Sequence, residues 1–572
     1  VASWFVAVIF TPYIGVKLLP NFAVADQVHH DPHAIYETRI YRALRRVITW
    51  CVRWRVSVVA ATVAIFVASI AGFGLIQQQF FPLSERPELF LQLRLPEGTS
   101  FNVTAETARK AEALLKDDAD IATYTTYIGQ GSPRFWLGLN PQLPNEAFAE
   151  IVIVSKNTDA RERIKKHIEA AVAEGALPEA RVRVDRFNFG PPVGFPVQFR
   201  IVGPDSKVVR DIAYQVRDVV RRNDKMIDTH LDWNERTPYL KLEVDQERAR
   251  ALGLTPQDLS QALNMLLSGV PVTTVRDGVE KVSVVARAVA SERLNLGHVG
   301  DLVVTSRNGL AVPLQQVARI VYAHEEPILW RRNRDMAITV RGDVADGAQA
   351  PDVSSAIWPQ LKEIRDGLPA GYRMEMGGAI EESAKGNESI FVLFPLMLIA
   401  MLGLLMIQLQ NFSRLVLVFL TAPLGIVGAS FGLNVAGQPF GFVALLGLIA
   451  LAGMIMRNTV ILVDQIETDV SHGLTRREAI VEATVRRARP VVLTALAAIL
   501  AMIPLSRSAF WGPMAITIMG GLFVATFLTL LYLPGLYALW FRKTLDERGP
   551  GSEAADTPAE DAGGIPLAAA AE

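Results

Sequence analysis

The stretch AGMIMRNTVILVDQIE, residues 452–467, ends a long apolar run that begins near Phe440. Arg457 lies inside this run, among side chains that otherwise suit lipid. A charged side chain near the middle of a bilayer costs about 2.5–3.5 kcal/mol on insertion scales, and an arginine cannot lose its proton to avoid that cost. The run therefore predicts a membrane-spanning helix, and Arg457 needs a group that compensates its charge.

Further apolar runs show that the whole chain is built around such helices. Half of its 572 residues are hydrophobic, and its formal net charge of −1 argues against a nucleic-acid partner. A helix needs about 20 residues to cross the hydrocarbon core. By hydropathy the complete spans are 55–76, 389–408, 415–436, 440–465, 490–506 and 514–541.

A partial apolar segment opens the chain with VASWFVAVIFTPYIGVKLL, residues 1–19. It has no initiating methionine and no basic leader, so it does not resemble a signal peptide. We expect residues 1–19 to be the end of a transmembrane helix whose beginning is absent from this sequence. The chain is accordingly predicted to be a fragment.

Lysine and arginine in the short loops set the orientation, because cytoplasmic loops carry the excess of positive charge. The segment 20–54, a predicted linker with a basic amphipathic helix, and the arginine-rich loop 466–489 are expected to be cytoplasmic. Residues 77–388 then lie outside the cytoplasm. Residues 543–572, acidic and rich in Pro and Gly beyond Gly549, are expected to form a disordered cytoplasmic tail.

The large external region reads as repeated α/β units. Strand-like alternation and helical spacing over 77–195 follow the order β-α-β-β-α-β of a ferredoxin-like unit. A second unit is predicted from 196–240 and 330–385, interrupted by an insertion at 241–329. The only cysteine, Cys51, lies outside this region, so a packed core rather than disulfides must stabilise it.

The predicted spans offer Arg457 no close acidic partner. Only Asp464 shares its span, and seven residues at about 1.5 Å rise place it about 10 Å away along the helix. Two interpretations stay open. Arg457 extends toward the cytoplasmic interface, as long basic side chains do, or it faces an acid on a helix absent from this sequence, which would load and release protons.

Other polar groups near Arg457 have simpler interpretations. For Thr459 we expect a hydrogen bond to its own helix backbone. Arg487 and Arg489 precede Pro490 and could serve as positive-inside anchors. HHDPH, residues 29–33, is a weak metal-binding candidate because no second ligand cluster lies nearby. The sequence contains neither GxxxxGK[ST] nor HExxH, so ATP-driven pumping and zinc proteolysis have no support, and no enzyme is predicted.

Several stretches resemble the C-terminal half of resistance-nodulation-division (RND) efflux pumps, in the acriflavin-resistance branch that exports hydrophobes and amphiphiles. GMIMRNTVILVDQIE together with the following helix-proline-helix stretch is the most specific match. The other stretches are weak alone but occur in the family's order and spacing. The matching stretches are LPEGTS (95–100), LTAPLGIVGA (420–429), GMIMRNTVILVDQIE (453–467), EATVRRARPVVLTALAAILAMIPL (482–505) and GG…LYLPGLYALW (520–540).

The resemblance implies a polytopic α-helical membrane protein with a large extracytoplasmic α+β domain. Residues 77–195 would form one ferredoxin-like porter subdomain, and residues 196–240 with 330–385 a second. Residues 241–329 would be the inserted docking subdomain, residues 1–19 the end of the sixth helix, and residues 386–542 a bundle of five helices.

The resemblance also implies a proton relay. Arg457, Asn458, Thr494 and Arg487 match relay-region positions of the family. Many relatives have lysine where this chain has Arg457; arginine supplies the cation but cannot give up a proton. The two adjacent aspartates of the relay belong to the other half of such pumps, so this chain should not transport anything alone.

Four aromatic residues match stretches that line the drug pathway of such pumps. Phe135 and Trp136 lie in SPRFWLG, and Phe187 and Phe189 lie in RFNFGPP. Aromatic rings bind varied apolar cations through contact area and cation–π attraction. Ordinary core packing is the alternative for each of them.

The predicted function is drug/proton antiport powered by the proton gradient, without a cofactor or a metal site. The expected partners are the chain's own N-terminal half, two further copies in a homotrimer, a periplasmic adaptor (membrane fusion) protein and an outer-membrane channel, with lipophilic or cationic drugs as cargo. The expected location is the bacterial inner membrane, with residues 77–388 periplasmic. The alternatives are an RND-fold exporter of metal ions or lipids and a nontransporting membrane scaffold.

Overall fold

The computed structural model of the protein describes residues 6–18, 38–306 and 308–547. These residues form two compact units. The membrane unit contains the described residues up to Ser84, Gln349–Asp352 and the described residues from Ala379 on; the α/β unit contains Glu85–Ala348 and Val353–Gly378. The HHDPH segment at 29–33 and nearly all of the predicted tail lie outside the described residues.

The membrane unit begins with three helices: α1 (Thr11–Leu18), α2 (Arg39–Arg53) and α3 (Arg55–Phe73). Helix α2 buries Ile48, Cys51 and Val52, spaced three and four residues apart, while most of its arginines are exposed; Arg45, on the buried side, is ion-paired with Glu482 at 2.9 Å. This is the periodicity of an amphipathic helix. The basic amphipathic helix predicted before the first full span is therefore present.

The first sheet of the α/β unit has four antiparallel strands in the order β2 (Ile121–Ile128), β3 (Phe148–Ser155), β1 (Glu88–Arg94) and β4 (Arg181–Arg186). Successive side chains of a strand point to opposite faces, so fully buried Leu89, Leu91 and Leu93 share one face of β1. They belong to one core with residues of the two helices, whereas Gln92 and Arg94 lie on the other face. The elements in chain order are β1 (Glu88–Arg94), α4 (Phe101–Leu115), β2 (Ile121–Ile128), β3 (Phe148–Ser155), α5 (Thr158–Ala173) and β4 (Arg181–Arg186).

The second sheet combines strands from both sides of an insertion. Strand β14 (Asp335–Val344) lies between β5 (Val197–Gly203) and β6 (Met226–Leu231), and β15 (Arg373–Gly378) pairs with the other edge of β5. Its elements and those of the insertion, in chain order, are β5 (Val197–Gly203), α6 (Ser206–Val220), β6 (Met226–Leu231), β7 (Thr237–Val244), α7 (Gln246–Ala251), α8 (Pro256–Leu263), β8 (Val270–Asp277), β9 (Glu280–Ala286), α9 (Ala290–Arg293), β10 (Val303–Thr305), β11 (Ala311–Pro313), β12 (Ala318–Glu325), β13 (Arg331–Arg332), β14 (Asp335–Val344), α10 (Ala350–Ile357), α11 (Lys362–Asp366) and β15 (Arg373–Gly378).

One antiparallel strand pair joins the two ends of the insertion. Strand β7 pairs antiparallel with β12, from Thr237 opposite Glu325 to Val244 opposite Ala318. The predicted start of the insertion at 241 falls inside β7, because the alternating stretch TPYLKLEV continues the strand back to Thr237. Between the paired strands, β8 and β9 form a hairpin on which all but one residue are exposed.

The second half of the membrane unit is helical: α12 (Ala379–Leu409), α13 (Phe412–Phe419), α14 (Leu424–Ala436), α15 (Phe442–Ser471), α16 (Arg476–Met502) and α17 (Gly512–Trp540). Among the described residues, five helical segments are long and apolar enough to cross a membrane: Arg55–Phe73, Ala379–Leu409, Phe412–Ala436, Phe442–Ser471 and Gly512–Trp540. The remaining predicted span, 490–506, falls mostly in the apolar end of α16, which begins with a charged half and ends at Met502.

Helices α14 and α17 cross at glycines. A methyl group on Gly428 would lie 2.4 Å from the carbonyl oxygen of Gly520, and one on Gly432 would lie 3.0 Å from the Cα of Gly520. Small residues let helix backbones approach closely, which is a common way to associate helices in lipid. The glycines therefore set the distance between these two helices.

Candidate functional site

Arg457 lies near the middle of α15 with its side chain exposed. Its neighbours Met456, Asn458 and Thr459 are buried, so Arg457 occupies the side of the helix that the rest of the membrane unit leaves uncovered. Within residues 6–18, 38–306 and 308–547 it has neither a hydrogen bond nor an ion pair. Nothing in this geometry chooses between extension to the interface and an acid elsewhere, so both stay predictions.

Asp464 does not compensate Arg457. Helix α15 runs without interruption from Phe442 to Ser471, so the two residues remain two turns apart. The Asp464 side chain is exposed and has no ion-pair partner in the described part of the chain, while its backbone carbonyl accepts a hydrogen bond from Thr468 at 2.9 Å.

Three polar residues near Arg457 are positioned in different ways. The buried Thr459 hydroxyl donates to the Ile455 carbonyl at 3.0 Å, which confirms the expected bond to its own helix, and lies 3.0 Å from the Thr421 hydroxyl. Asn458 is also buried, at 7% exposure. Thr494 donates to the Val491 carbonyl at 2.9 Å. The structure thus shows no hydrogen bond between Thr494 and Arg457 among the described residues.

Arg487 connects α16 to α15. Its Nε and Nη2 donate to the Gln465 side-chain oxygen at 3.1 and 2.6 Å. Gln465 in turn donates to Asp469 at 2.9 Å, and Asp469 also accepts a hydrogen bond from Arg486. Arg487 therefore belongs to a polar network at the end of α15 and does not touch Arg457.

A second network at this end was missed by the sequence analysis. Glu467, whose side chain is 14% exposed, accepts hydrogen bonds from Arg414 at 2.8 Å and from the Tyr537 hydroxyl. Arg476 lies 3.7 Å from the same carboxylate and donates to Tyr537 at 3.2 Å. Glu467 therefore links α13, α16 and α17 to α15. Its position at the end of a predicted span, in DQIETD, was the one available signal.

In the α/β unit, the four predicted aromatic residues come together. Phe187 is buried at 2% exposure, and its ring centroid lies 5.6 Å from that of Phe135 and 6.3 Å from that of Trp136. Trp136 also lies 6.3 Å from Phe189. Phe187 packs beneath the others, 4.3 Å from Phe90, whereas Phe135 is 48% exposed. Direct contact with a ligand would therefore fall to the exposed Phe135 and to the half-buried Trp136 and Phe189.

The loop that carries Phe135 and Trp136 is held against the FNFG segment. A methyl group on Gly138 would lie 2.8 Å from the Asn188 carbonyl oxygen, so the loop approaches this closely because residue 138 is glycine. The Trp136 indole donates to the same carbonyl at 3.3 Å. Arg134 donates to the Leu137 carbonyl at 2.7 Å, inside the loop. These contacts fix the loop and the orientation of the half-buried Trp136 ring.

Arg86, which the sequence analysis did not select, already occupies part of this site. Its guanidinium carbon lies 4.8 Å from the Trp136 ring and 5.8 Å from the Phe187 ring. Glu88 accepts two hydrogen bonds from Arg86, which lower the pKa of the Glu88 carboxyl and keep it ionised. A cationic ligand would compete with Arg86 for the Trp136 face, while the Phe135 ring stays open to apolar contact.

Known proteins match this chain over most of its length. The sequence matches the AcrB/AcrD/AcrF family over residues 1–540. It is 24% identical to the swarming motility protein SwrC of Bacillus subtilis, covering 96% of this chain and 52% of SwrC, and 26% identical to the cation efflux system protein CzcA of an Alcaligenes species, covering 89% and 49%. The multidrug resistance protein MdtC of Serratia proteamaculans is 23% identical, covering 94% and 53%.

A crystal structure of a heavy metal efflux pump has a similar fold, with a TM-score of 0.72 at 23% identity over 87% of this chain and 52% of that one. The chain spans about half the length of the curated relatives it matches. Relatives named for metal efflux and for multidrug resistance match at comparable identity, so these matches do not select the drug-exporting function. The chain belongs to the AcrB/AcrD/AcrF family of RND efflux transporters.

Proposed function

We propose that this chain is part of an exporter driven by the proton-motive force, in which Arg457 is the fixed cation of the proton relay. The observation that carries the proposal is the exposed Arg457 guanidinium in a membrane-spanning helix, without an acidic partner in the described part of the chain. Members of this family are efflux transporters, and the proposed location is the bacterial inner membrane.

In lipid, the positive charge of Arg457 needs a counter-ion. Arg457 keeps its proton, so an acid facing it would carry the titration. When that acid is ionised, the pair is neutral and attractive; when it is protonated, the positive charge of Arg457 loses its counter-ion. The two protonation states therefore favour different helix arrangements, which is how a proton can bias a transport cycle.

The cargo route would run through the α/β unit, with residues 77–388 periplasmic. Strand order and helix placement support two ferredoxin-like porter subdomains, and the segment bounded by β7 and β12 would be the docking insertion. Phe135 and Trp136 present rings suited to apolar organic molecules. Assembly as a homotrimer with an adaptor and an outer-membrane channel, the general arrangement of RND pumps, completes the proposal.

A second candidate is export of metal ions. It is favoured by the relatives named for cation and cobalt-zinc-cadmium efflux and by the heavy metal pump of similar fold. The two candidates differ in their use of the aromatic site. Removing the Phe135 ring should impair export of apolar organic cargo and leave metal-ion export unchanged.

The test expresses the full-length gene in a pump-deficient host and measures growth inhibition by organic amphiphiles and by zinc, cobalt and cadmium salts. Arg457→Ala should reduce resistance to the host background without loss of the protein from the membrane. Arg489→Ala, which removes another exposed arginine of the membrane unit, is the matched control and should retain resistance. Resistance retained in full by Arg457→Ala would refute the relay assignment, and resistance to neither class in wild type would favour a nontransporting scaffold.

A further inference from the structure

A cavity of about 50 Å³ in the α/β unit has an unusually cationic lining. A water molecule needs roughly 10–15 Å³, so the cavity accommodates a few waters or one small oxyanion. It opens on the helix-free face of the first sheet, where Gln92 and Arg94 lie, and reaches residues of the second sheet. Its charged lining residues are Arg94, Arg181, Arg183, Arg341 and Asp228.

Two of these arginines are neutralised by carboxylates. Arg183 forms ion pairs with Asp343 at 2.7 Å and with Asp185 at 2.6 Å. Arg181 lies 3.5 Å from Asp228, the one carboxylate of the lining. Arg183 has two carboxylates and Arg181 has one, so these pairs leave one surplus negative charge beside the two positive charges of Arg94 and Arg341.

Arg341 has no carboxylate within 4 Å among the residues that the structure describes. Its Nε donates to Nε2 of His230 at 3.1 Å, and Nδ1 of His230 lies 2.6 Å from the Asp228 backbone carbonyl. The proton of the imidazole therefore sits on Nδ1 and the ring is neutral. Burial lowers the pKa of His230 more than its hydrogen bond to Asp228 raises it. The lowered pKa keeps the ring neutral. His230 positions Arg341 without neutralising it.

Arg94 is also weakly compensated. Its Nη2 donates to the neutral Gln142 side chain at 3.2 Å, and its closest carboxylate oxygen, on Glu97, lies 3.9 Å away. Burial lowers the pKa of Arg94, and the positive charge of Arg181 lowers it further. Arg94 and Arg341 are thus two guanidiniums that share a cavity without strong counter-ions.

The guanidiniums lie over the faces of aromatic rings. The Phe195 ring lies 4.1 Å from the guanidinium carbon of Arg183 and 4.7 Å from that of Arg341, and Phe148 lies 4.9 Å from that of Arg94. A guanidinium stacked on a ring keeps the N–H groups at its edge available for acceptors, and these suit the planar or tetrahedral oxygens of carboxylate, sulfate and phosphate.

The positive charge persists at neutral pH. Burial lowers the pKa of Arg341 to about 10; attraction to Asp232 opposes this effect, and repulsion from Arg94, Arg181 and Arg183 adds to it. A pKa of about 10 still leaves Arg341 protonated near pH 7. A bound anion would further reduce the repulsion between Arg341 and the arginines around it.

We propose that this cavity is an oxyanion-binding site in which Arg94 and Arg341 donate hydrogen bonds to a phosphate, sulfate, sulfonate or carboxylate group. The proposal does not depend on proton coupling or on the identity of the exported cargo. The anion could be a free inorganic ion or the acidic head of an amphiphile, since both present the same oxygens.

The test uses the full-length protein in a neutral maltoside detergent and measures thermal stabilisation by sulfate at constant ionic strength set with chloride. We expect a saturable rise in the unfolding temperature, with the apparent affinity weakened at least about tenfold by Arg341→Gln or Arg94→Gln. Arg341→Lys, which keeps the charge but loses the planar fork, should bind with intermediate affinity and guards against a folding defect of the glutamine variants. Arg217→Gln, at a surface arginine hydrogen-bonded to Asp218 at 2.8 Å, is the control and should bind as wild type.

A second arm replaces sulfate with decyl sulfate. Binding of sulfate alone would identify a free-ion site, and binding of decyl sulfate without binding of sulfate would identify the acidic head of an amphiphile; both support the proposal. Crystals soaked in selenate should show an anomalous peak in the cavity in the first case. No saturable response to either compound, or an unchanged response in both glutamine variants, would overturn it.

Discussion

Helix α15 carries charge in two regions, and the two differ in what surrounds them. Near its middle, Arg457 is exposed and has no partner among the described residues, whereas near its end Glu467 and Asp469 are enclosed by arginines of neighbouring helices. The paired charges hold the helices of the membrane unit together. An unpaired cation in the same helix adds nothing of that kind, and we propose that it serves transport.

The aromatic cluster of the α/β unit likewise contains a buried ring, Phe187, and an exposed ring, Phe135. Phe187→Ala should have the largest effect on stability, a loss of about 3–5 kcal/mol, because it leaves a cavity beneath three other rings. Phe135→Ala, at a half-exposed ring, should lower stability by less than about 1 kcal/mol and impair organic export instead. Denaturant unfolding of the two variants and of wild type measures the difference. Equal losses of stability would mean that Phe187 does not support the cluster more than Phe135 does.

The paired end of α15 should respond strongly to loss of its central carboxylate. Glu467→Ala leaves Arg414 and Arg476 without their shared anion, and removing one partner of a buried pair costs about 3 kcal/mol or more. Arg457→Ala in the same helix should leave the unfolding temperature unchanged or raise it. Thermal unfolding in detergent tests both variants, and a greater loss for Arg457→Ala would reverse the comparison.

These two regions also show what the sequence could and could not predict. The apolar run around Arg457 and the alternation of β1 are local patterns, so the helix and the strand follow from neighbouring residues. The partners of Glu467 on α13 and α17 are far away in the sequence, and no spacing rule brings them together. The arginine cavity was missed for the same reason, because Arg183 and Asp343 meet only in the folded α/β unit.

The glycine crossing of α14 and α17 extends the comparison to backbone packing. Gly428→Ala should destabilise the membrane unit by about 1–3 kcal/mol, since the added methyl would lie 2.4 Å from a carbonyl oxygen and the helices must separate. Gly403→Ala in α12, where a methyl meets no atom within 4 Å, is the control. Unfolding temperatures measured in one detergent should fall only for Gly428→Ala; equal behaviour would mean that the crossing tolerates the added volume.

The smallest effect concerns the Arg86–Glu88 pair of the aromatic site. Because the hydrogen bond from Arg86 lowers the folded-state pKa of Glu88 below its usual 4.5, the stabilisation is complete above that value and is lost as pH falls through the lowered pKa. Glu88→Gln should remove this part of the acid sensitivity and cost about 1 kcal/mol or less near pH 7. Unfolding free energies measured from pH 7 down to acidic pH test this prediction. Parallel curves for variant and wild type would show that Glu88 contributes no pH dependence.

We propose that the uncompensated guanidinium of α15 couples protons to export. Purified full-length protein in proteoliposomes, with an imposed pH gradient and a fluorescent amphiphilic cargo, tests it most directly. We expect Arg457→Ala to abolish flux driven by the gradient while unfolding at or above the wild-type temperature, and Arg489→Ala to transport normally. Gradient-driven flux at the wild-type rate in Arg457→Ala would contradict it.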